Sequence, residues 1–589
     1  MAANTSYNPT ARGSNLALEL LLNLLLVAVV SVDLISPWSV EVSWHASWIW
    51  IAVHIVLFIA ALGSLLKSLL RPVKFLSVIG LGIALAYLYL AMVDARNISH
   101  EATQQVACVL KKWAVPDHAF GDWCFLGYPA RSYYLNAFPT LLFGPSQLAL
   151  NFGFASYFII GLLAFVGGIL SLFKDRRADL VALLAVALLL HSNHFDVLLL
   201  NFEQSFVPTS YALMVAGFFL HFVSSGRSRY LTLTALALYL SIYAYTPALA
   251  LSVLALILLP LFLLSPLSIG NRRLASLLGL GLIAGIIRSL WAREDLKLNP
   301  EGGVGEALWH KLGELGSALT TFTPPDGVIS LALAAVLGAF TLLTFGIFLL
   351  RLYQLLSRRG AASSEGTSLL IADPIFAVSG LYLLLCVWAA AVAIASILSP
   401  GYAKPPPAFA IHRATFVLPL LIACGAVFES KCRRFLTLHY LALLAACIYF
   451  GWLGCQYLAL HQSRKAADPK IAFFKELRRQ FPHKEPGDSI TILMSGNLRW
   501  LLGNTSDYAE YLWPQLEYYF YETCREFADL PQRAKASLLI TEAPFPDCAA
   551  ELGCEVEACE NFSTLQHTLQ ACKLSACRAE TTDHLEPVN

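Results

Sequence analysis

Residues 146–173 read SQLALNFGFASYFIIGLLAFVGGILSLF, and the four that follow, 174–177, read KDRR. The apolar run carries no charged residue and exceeds the roughly 20 residues that a helix needs to cross a bilayer core. In lipid every backbone N–H and C=O must be bonded within the segment, so such a run reads as a helix. The basic residues behind it mark the end expected to stay on the cytoplasmic side.

The same pattern recurs along the chain. Spans are predicted near 16–36, 48–67, 74–93, 146–173, 179–192, 208–223, 230–246, 248–266, 274–291, 329–356, 372–398, 410–428 and 436–458. The 179–192 segment is short, and Thr246-Pro247 makes either a boundary or a kink, because proline interrupts helical hydrogen bonding. The first run has no small-residue cleavage site behind it and reads as a retained span. Of the 589 residues 57% are hydrophobic and 13% charged, with a mean hydropathy of +0.63. A soluble domain carries about twice that charged fraction. Lys+Arg number 40 against 39 Asp+Glu, a net charge of +1 that argues against a nucleic-acid partner.

Six short basic loops set the orientation: Lys67 with Arg71 and Lys74, KDRR at 174–177, Arg227 with Arg229, Arg272 with Arg273, Arg358 with Arg359, and KCRR at 431–434. All fall on one side of the predicted topology, with Arg12 and the N-terminus, and that side is expected to be cytoplasmic. An odd span count then sends the tail across. The fold class expected is an all-α polytopic membrane bundle of about 13 transmembrane helices, residues 1–459, with a small extracytoplasmic α/β domain at 460–589. Large loops at 94–145 and 292–328 share that far side with shorter ones at 193–207 and 399–409. In the tail, DPKIAFFKELRRQF (468–481) reads as an amphipathic helix, and SITILM (489–494) and ASLLITEA (536–543) as strands. The aromatic stretch DYAEYLWPQLEYYFYE (507–522) suits packing against the bundle, or a surface for sugar or lipid. Cysteines come in even sets on the far side, Cys108 and Cys124 in the first loop and Cys524, Cys548, Cys554, Cys559, Cys572 and Cys577 in the tail. Even sets fit disulfides in an oxidising compartment, and the tail's six allow 15 connectivities, none of which spacing selects.

Chemistry-bearing residues gather at the far ends of spans. In AMVDARNISHE (91–101), Asp94 ends the third span with Glu101 and His100 a turn or two on. A carboxylate there suits a general base that takes a proton from an attacking hydroxyl or amine, and equally suits a solvated helix end. LGYPARSYYLNAFPTLLFGPSQLALNF (126–152), with Tyr133 and Tyr134, reads as an interfacial helix lining a groove between lipid and water, or as ordinary loop packing. His191, His194, Asp196 and Glu203 are dense polar groups on an apolar background. They suit a divalent cation such as Mg or Mn, or hydrogen bonds to a phosphate or sugar, though no closed metal motif is present. Arg288 and Arg293 flank Trp291, and His412 and Arg413 open the twelfth span. Fixed guanidinium charge there suits either a developing phosphate charge or simple interfacial anchoring.

Three of these stretches carry a resemblance: the acidic opening of the first large loop (Asp94, with Glu101), the GYPARSYYLNAFPTLLFG run, and HRATFVLPLL (412–421), which is similar to an arginine-led start of a late span. The chain resembles the GT-C class of polyprenyl-phosphate-dependent membrane glycosyltransferases, which includes protein mannosyltransferases, bacterial aminoarabinose transferases and the catalytic subunits of oligosaccharyltransferases. The resemblance implies inverting transfer of a sugar from a polyprenyl-phosphate donor to an extracytoplasmic lipid, glycan or protein. It implies Asp94 or Glu101 as base, and Arg413 as a contact of the donor phosphate. It also implies membrane lipids as surroundings and a multi-pass place in a bacterial inner membrane, with the C-terminal domain periplasmic. A paired Asp-Glu and a WWDxG-like motif are missing, and two spans precede the arrangement in which the acidic loop follows the first span. Two other classes stay open, a transporter or flippase and a non-catalytic assembly subunit. Transporters tend to show repeated halves and helices broken at mid-membrane, whereas here the ionisable groups sit at span ends.

Overall fold

The structure, a computed structural model, describes residues 16–35, 40–70, 75–94, 100–114, 134–172, 177–190, 206–244, 251–256, 276, 279–287, 327–358, 374–398, 448, 469–481, 490–495, 498, 516–521, 536–542, 554–564 and 567–577. Its longer helices are α1 (Leu16–Ile35), α2 (Val40–Leu69), α3 (Phe75–Asp94), α4 (His100–Ala114), α5 (Tyr134–Phe143), α6 (Gln147–Leu172), α7 (Arg177–Leu190), α8 (Phe206–Ser225), α9 (Ser228–Ser241), α10 (Gly327–Arg358), α11 (Pro374–Leu398) and α12 (Pro469–Gln480). Among the described residues, three helical stretches have the length and hydropathy to cross a membrane: Trp48–Leu69, Gln147–Leu172 and Val207–Ser225. Shorter apolar stretches lie in α1, α3, α10 and α11. The predicted spans at 410–428 and 436–458 lie outside the described residues, apart from residue 448.

Helix α6 is the hub. Buried side chains occur all round it, from Leu150 through Phe154, Tyr157, Phe158, Phe165 and Ile169, as expected of a helix enclosed by others. It packs on α8, α2, α5, α7 and α3. The α6–α8 seam is made by small residues. A Cβ at Gly161 would lie 2.6 Å from the Ser210 carbonyl oxygen, and one at Gly168 would lie 2.5 Å from that of Gly217. With little hydrophobic drive between helices in lipid, backbones brought this close replace it with dispersion contacts. Leu18, Leu21 and Leu24 of α1, Ile79 and Ile83 of α3, and Leu342, Leu343 and Leu350 of α10 are exposed, the pattern of faces that meet lipid.

Turn chemistry fixes the helix ends. Gly144 (φ 75°) closes α5, and the next helix starts on Ser146, whose Oγ accepts the Ala149 N–H at 3.1 Å. Gly226 (φ 64°) closes α8, its N–H donating to Phe222 O at 2.7 Å. The start of α3 is capped from another helix. Buried Asp179 of α7 accepts the Leu76 N–H (3.1 Å) and Ser77 N–H (2.7 Å), and the Ser77 hydroxyl as well. That contact brings the start of α7 beside the start of α3, and the Ser224–Ser171 hydrogen bond (3.0 Å) joins the last turns of α8 and α6. The hydroxyl of Ser64 near the end of α2 donates to Tyr230 Oη at 3.2 Å in the first turn of α9. The last turns of α2, α6 and α8 and the first turns of α3, α7 and α9 are therefore tied in pairs at their ends.

The C-terminal part is α/β, as expected from 468–481, 489–494 and 536–543. Strands β1 (Ile490–Ser495), β2 (Leu516–Tyr521), β3 (Ala536–Glu542), β4 (Cys554–Thr564) and β5 (His567–Cys577) form one mixed sheet in the order β2-β1-β3-β5-β4. β1 runs parallel to β2 and β3, and β5 runs antiparallel to β3 and β4. Phe473, Phe474 and Leu477 of α12 are buried, and the Phe473 ring meets Phe562 of β4 edge-on at 5.2 Å. Part of the aromatic stretch 507–522 is thus a sheet strand, β2.

Candidate active site at the junction of α3 to α6

The end of α3 meets the first turns of α6. The last carbonyls of a helix lack intrahelical partners, and buried Asn151 of α6 serves one of them, its Nδ2 donating to Met92 O at 3.0 Å. That bond fixes the backbone two residues before Asp94, the last residue of α3. Glu101 follows in the first turn of α4.

α4 and α5 pack on α2 and on each other through aromatic rings. Trp48 of α2 stacks on Trp113 of α4 (5.9 Å, 9°) and meets Phe138 of α5 edge-on (6.5 Å), and Trp113 in turn stacks on Tyr134 (6.1 Å, 19°). Each such pair adds about 0.5–1.5 kcal/mol beyond the area it buries. Within the stretch 126–152, α5 lies deeper than the interfacial helix expected there. Tyr134, Asn136, Pro139 and Thr140 are buried, and only its last turn, Leu141 to Phe143, is exposed. The reason is Gly153, where a Cβ would lie 2.1 Å from Asn136 O. With no side chain there, α5 sinks onto α6, and the Tyr134 ring lies within the aromatic stack.

The junction holds carboxamides without partners. Gln105 and Asn136 are fully buried, and neither the oxygen nor the nitrogen of either amide is hydrogen-bonded. A buried polar group left unpaired costs about 1–3 kcal/mol. Gln147, at the first turn of α6, has an unpaired Nε2, and its Oε1 accepts a hydrogen bond from the Lys475 ammonium of α12. This contact joins α12 of the C-terminal part to the first turn of α6. Partial desolvation at this contact, of a side chain otherwise open to solvent, holds Lys475 below the usual lysine value. Neighbouring Glu476, exposed, is held below the ordinary carboxylate value by its bonds to Arg479 (2.5 and 2.9 Å) and Gln480.

The lowered value at Lys475 has a checkable sign. At pH values below it, the folded and unfolded states both carry the proton, and the cost of desolvating the charge is fully present. As pH rises through it toward the ordinary lysine value, the folded state sheds the proton first and stability rises. Thermal unfolding across the alkaline range is therefore expected to favour the wild type progressively over Lys475→Met. A pH-independent difference would count against desolvation as the cause.

Of the candidates read from sequence, Asp94 is the last residue of α3, Glu101 lies in the first turn of α4, and Tyr134 is buried at the start of α5. His191, His194, Asp196, Glu203, Arg288, Arg293, His412, Arg413 and Tyr133 lie outside the described residues. Among the described residues no group of three or more His, Cys, Asp or Glu is arranged to hold a metal. Cys108 takes part in a disulfide, and so do Cys559 and Cys572, 4.1 Å apart between Cα atoms. Sequence reasoning marked Asn136 only as a polar residue among the apolar ones of 126–152, and missed Gln105, Gln147, Asn151 and Lys475. Amides within apolar helices were the signal available for Asn136, Gln147 and Asn151, whereas Gln105 and Lys475 gave none beyond their places on amphipathic helices.

A bundle of this kind with an α/β C-terminal part defines a polytopic α-helical membrane protein. No family model and no curated protein matches the chain. Among solved structures, ArnT from Cupriavidus metallidurans bound to undecaprenyl phosphate overlaps with a TM-score of 0.45 and 13% identity, over 84% of this chain and 97% of that one. Its apo form overlaps with a TM-score of 0.35 and 11% identity over the same shares. Neither overlap carries weight for function.

Proposed function

We propose that the chain is a membrane glycosyltransferase that moves a sugar from a polyprenyl-phosphate donor to a hydroxyl or amine of an extracytoplasmic lipid, glycan or protein, with Asp94 as general base. The acceptor's X–H bond gives its proton to Asp94 as the new X–C1 bond forms. The C1–O bond to phosphate breaks, and polyprenyl phosphate leaves with the electron pair. Arg413, with His412, is assigned to the charge that grows on that phosphate, and Glu101 is the alternative base.

One observation supports the reading above the others. Asp94 ends α3 at a backbone held by Asn151 of α6, the helix that also carries α5 and the Lys475 contact of α12. Fixed placement of a base relative to its substrate is what lowers the entropic part of a two-substrate barrier. The unpaired amides of Gln105 and Asn136 are suited to sugar hydroxyls, which both donate and accept.

The test is release of free polyprenyl phosphate from a polyprenyl-phosphate-linked sugar by the purified, lipid-reconstituted protein. A transporter or an assembly subunit releases none. A second measurement addresses Asn136. Asn136→Leu, with the same branched outline and no unpaired amide, is expected to raise stability by up to about 1–3 kcal/mol, less what its extra bulk costs, while lowering kcat/KM. A gain in stability with turnover unchanged would leave Asn136 out of the site.

A further inference from the structure

The β4–β5 hairpin holds one disulfide, Cys559–Cys572, between residues directly opposite in the ladder. We propose a second, Cys554–Cys577, four rungs further along the same hairpin. In an antiparallel ladder, opposite residues alternate between hydrogen-bonded rungs, with Cα atoms about 5.5 Å apart, and non-hydrogen-bonded rungs about 4.5 Å apart. The 4.1 Å Cα separation of Cys559 and Cys572 marks theirs as the close kind.

Cys554 is five residues before Cys559 in the sequence, and Cys577 five after Cys572. In a regular ladder five steps would put them on a wide rung of the opposite kind. The hairpin is not regular. From Cys559–Cys572 its rungs run Ala558–Lys573, Val556–Leu574, Glu555–Ala576 and Cys554–Cys577, so β4 skips Glu557 and β5 skips Ser575. One skipped residue on each strand removes one rung and leaves the strands level. The fourth rung is then of the same close kind as the first, within the range that disulfides bridge. The Ser575 hydroxyl donates to Glu555 O at 3.3 Å beside its own irregularity.

Two thiols become one S–S bond by exchange with the disulfide of an oxidising dithiol carrier. That carrier takes the two protons and two electrons and leaves as a dithiol. With Cys559–Cys572 fixed, the four other tail cysteines allow three connectivities, and this assignment leaves Cys524 to pair with Cys548. The doubly bridged hairpin also supports the functional end of the molecule, because Phe562 of β4 packs on α12, whose Lys475 meets α6.

The experiment is peptide mapping of the full-length protein, solubilised with an alkylating agent present and no reductant, then cut after Lys, Arg and Glu. The expected products are LGCE (552–555) bonded to LSACR (574–578), and ACE (558–560) bonded to NFSTLQHTLQACK (561–573). Cys554→Ser is expected to add one alkylated thiol, at Cys577, with the Cys559–Cys572 product unchanged. LGCE bonded to a peptide carrying Cys524 or Cys548, or recovered alkylated from the wild type, overturns the assignment.

Discussion

Asp94→Asn is expected to lower kcat for sugar transfer by about 10²–10⁴-fold, the usual contribution of a positioned general base, with KM for the donor little changed. The asparagine keeps the size and can still hydrogen-bond, but it cannot take the proton that the acceptor must lose as its oxygen or nitrogen attacks C1. Folding should be unaffected, because what holds α3 here is the backbone bond from Asn151 to Met92 O. An elution profile and thermal transition matching the wild type would separate lost chemistry from lost structure. Glu101→Gln is the necessary companion. If Glu101 were the base, the large loss would move to that variant and Asp94→Asn would stay active. Full transfer by the double variant Asp94→Asn/Glu101→Gln would remove both carboxylates from the mechanism, and with them the proposed role of the first loop.

Legibility in the sequence followed the physical range of each interaction. Helix positions were readable because lipid demands unbroken apolar runs, and α3 and α6 fall within a residue of the predicted spans at 74–93 and 146–173. Two of the five strands, β1 and β3, were readable as short β-branched or apolar runs between polar ones. β4 and β5 were not, because CEVEACENFST carries three Glu and HTLQACKLSAC breaks its apolar run with Gln, Lys and Ser. At the site, Asp94 and Glu101 stood out as charges at a span end. Asn151 and Lys475 did not, since an amide inside a span and a lysine on an amphipathic helix acquire meaning only through Met92 and Gln147, 59 and 328 residues away. The six tail cysteines were countable, yet their pairing waited on a register set by two skipped residues.

Gly217→Leu is expected to prevent stable folding, and Gly217→Ala to cost about 3 kcal/mol or more, the upper part of the range for overpacked cores. A Cβ at 217 would lie 2.2 Å from the carbonyl carbon of Ala164, 2.4 Å from its oxygen and 2.5 Å from the Phe165 nitrogen. All three are backbone atoms of α6, so no rotamer change relieves the clash and only separation of the two helices does. Separation is expensive here because α6 also carries α2, α3, α5 and α7, and moving it off α8 disturbs each of those contacts. The loss should reach the site as well, since Asn151 and Gly153 on the same helix hold α3 and α5. Gly63→Ala is the control, lying on α2 where a Cβ meets nothing within 4 Å. Thermal unfolding in detergent should leave Gly63→Ala within about 0.5 kcal/mol of the wild type and shift Gly217→Ala far below it. Equal transitions for the two alanine variants would mean that α6 and α8 do not touch through their backbones, and that the bundle is assembled around another pair.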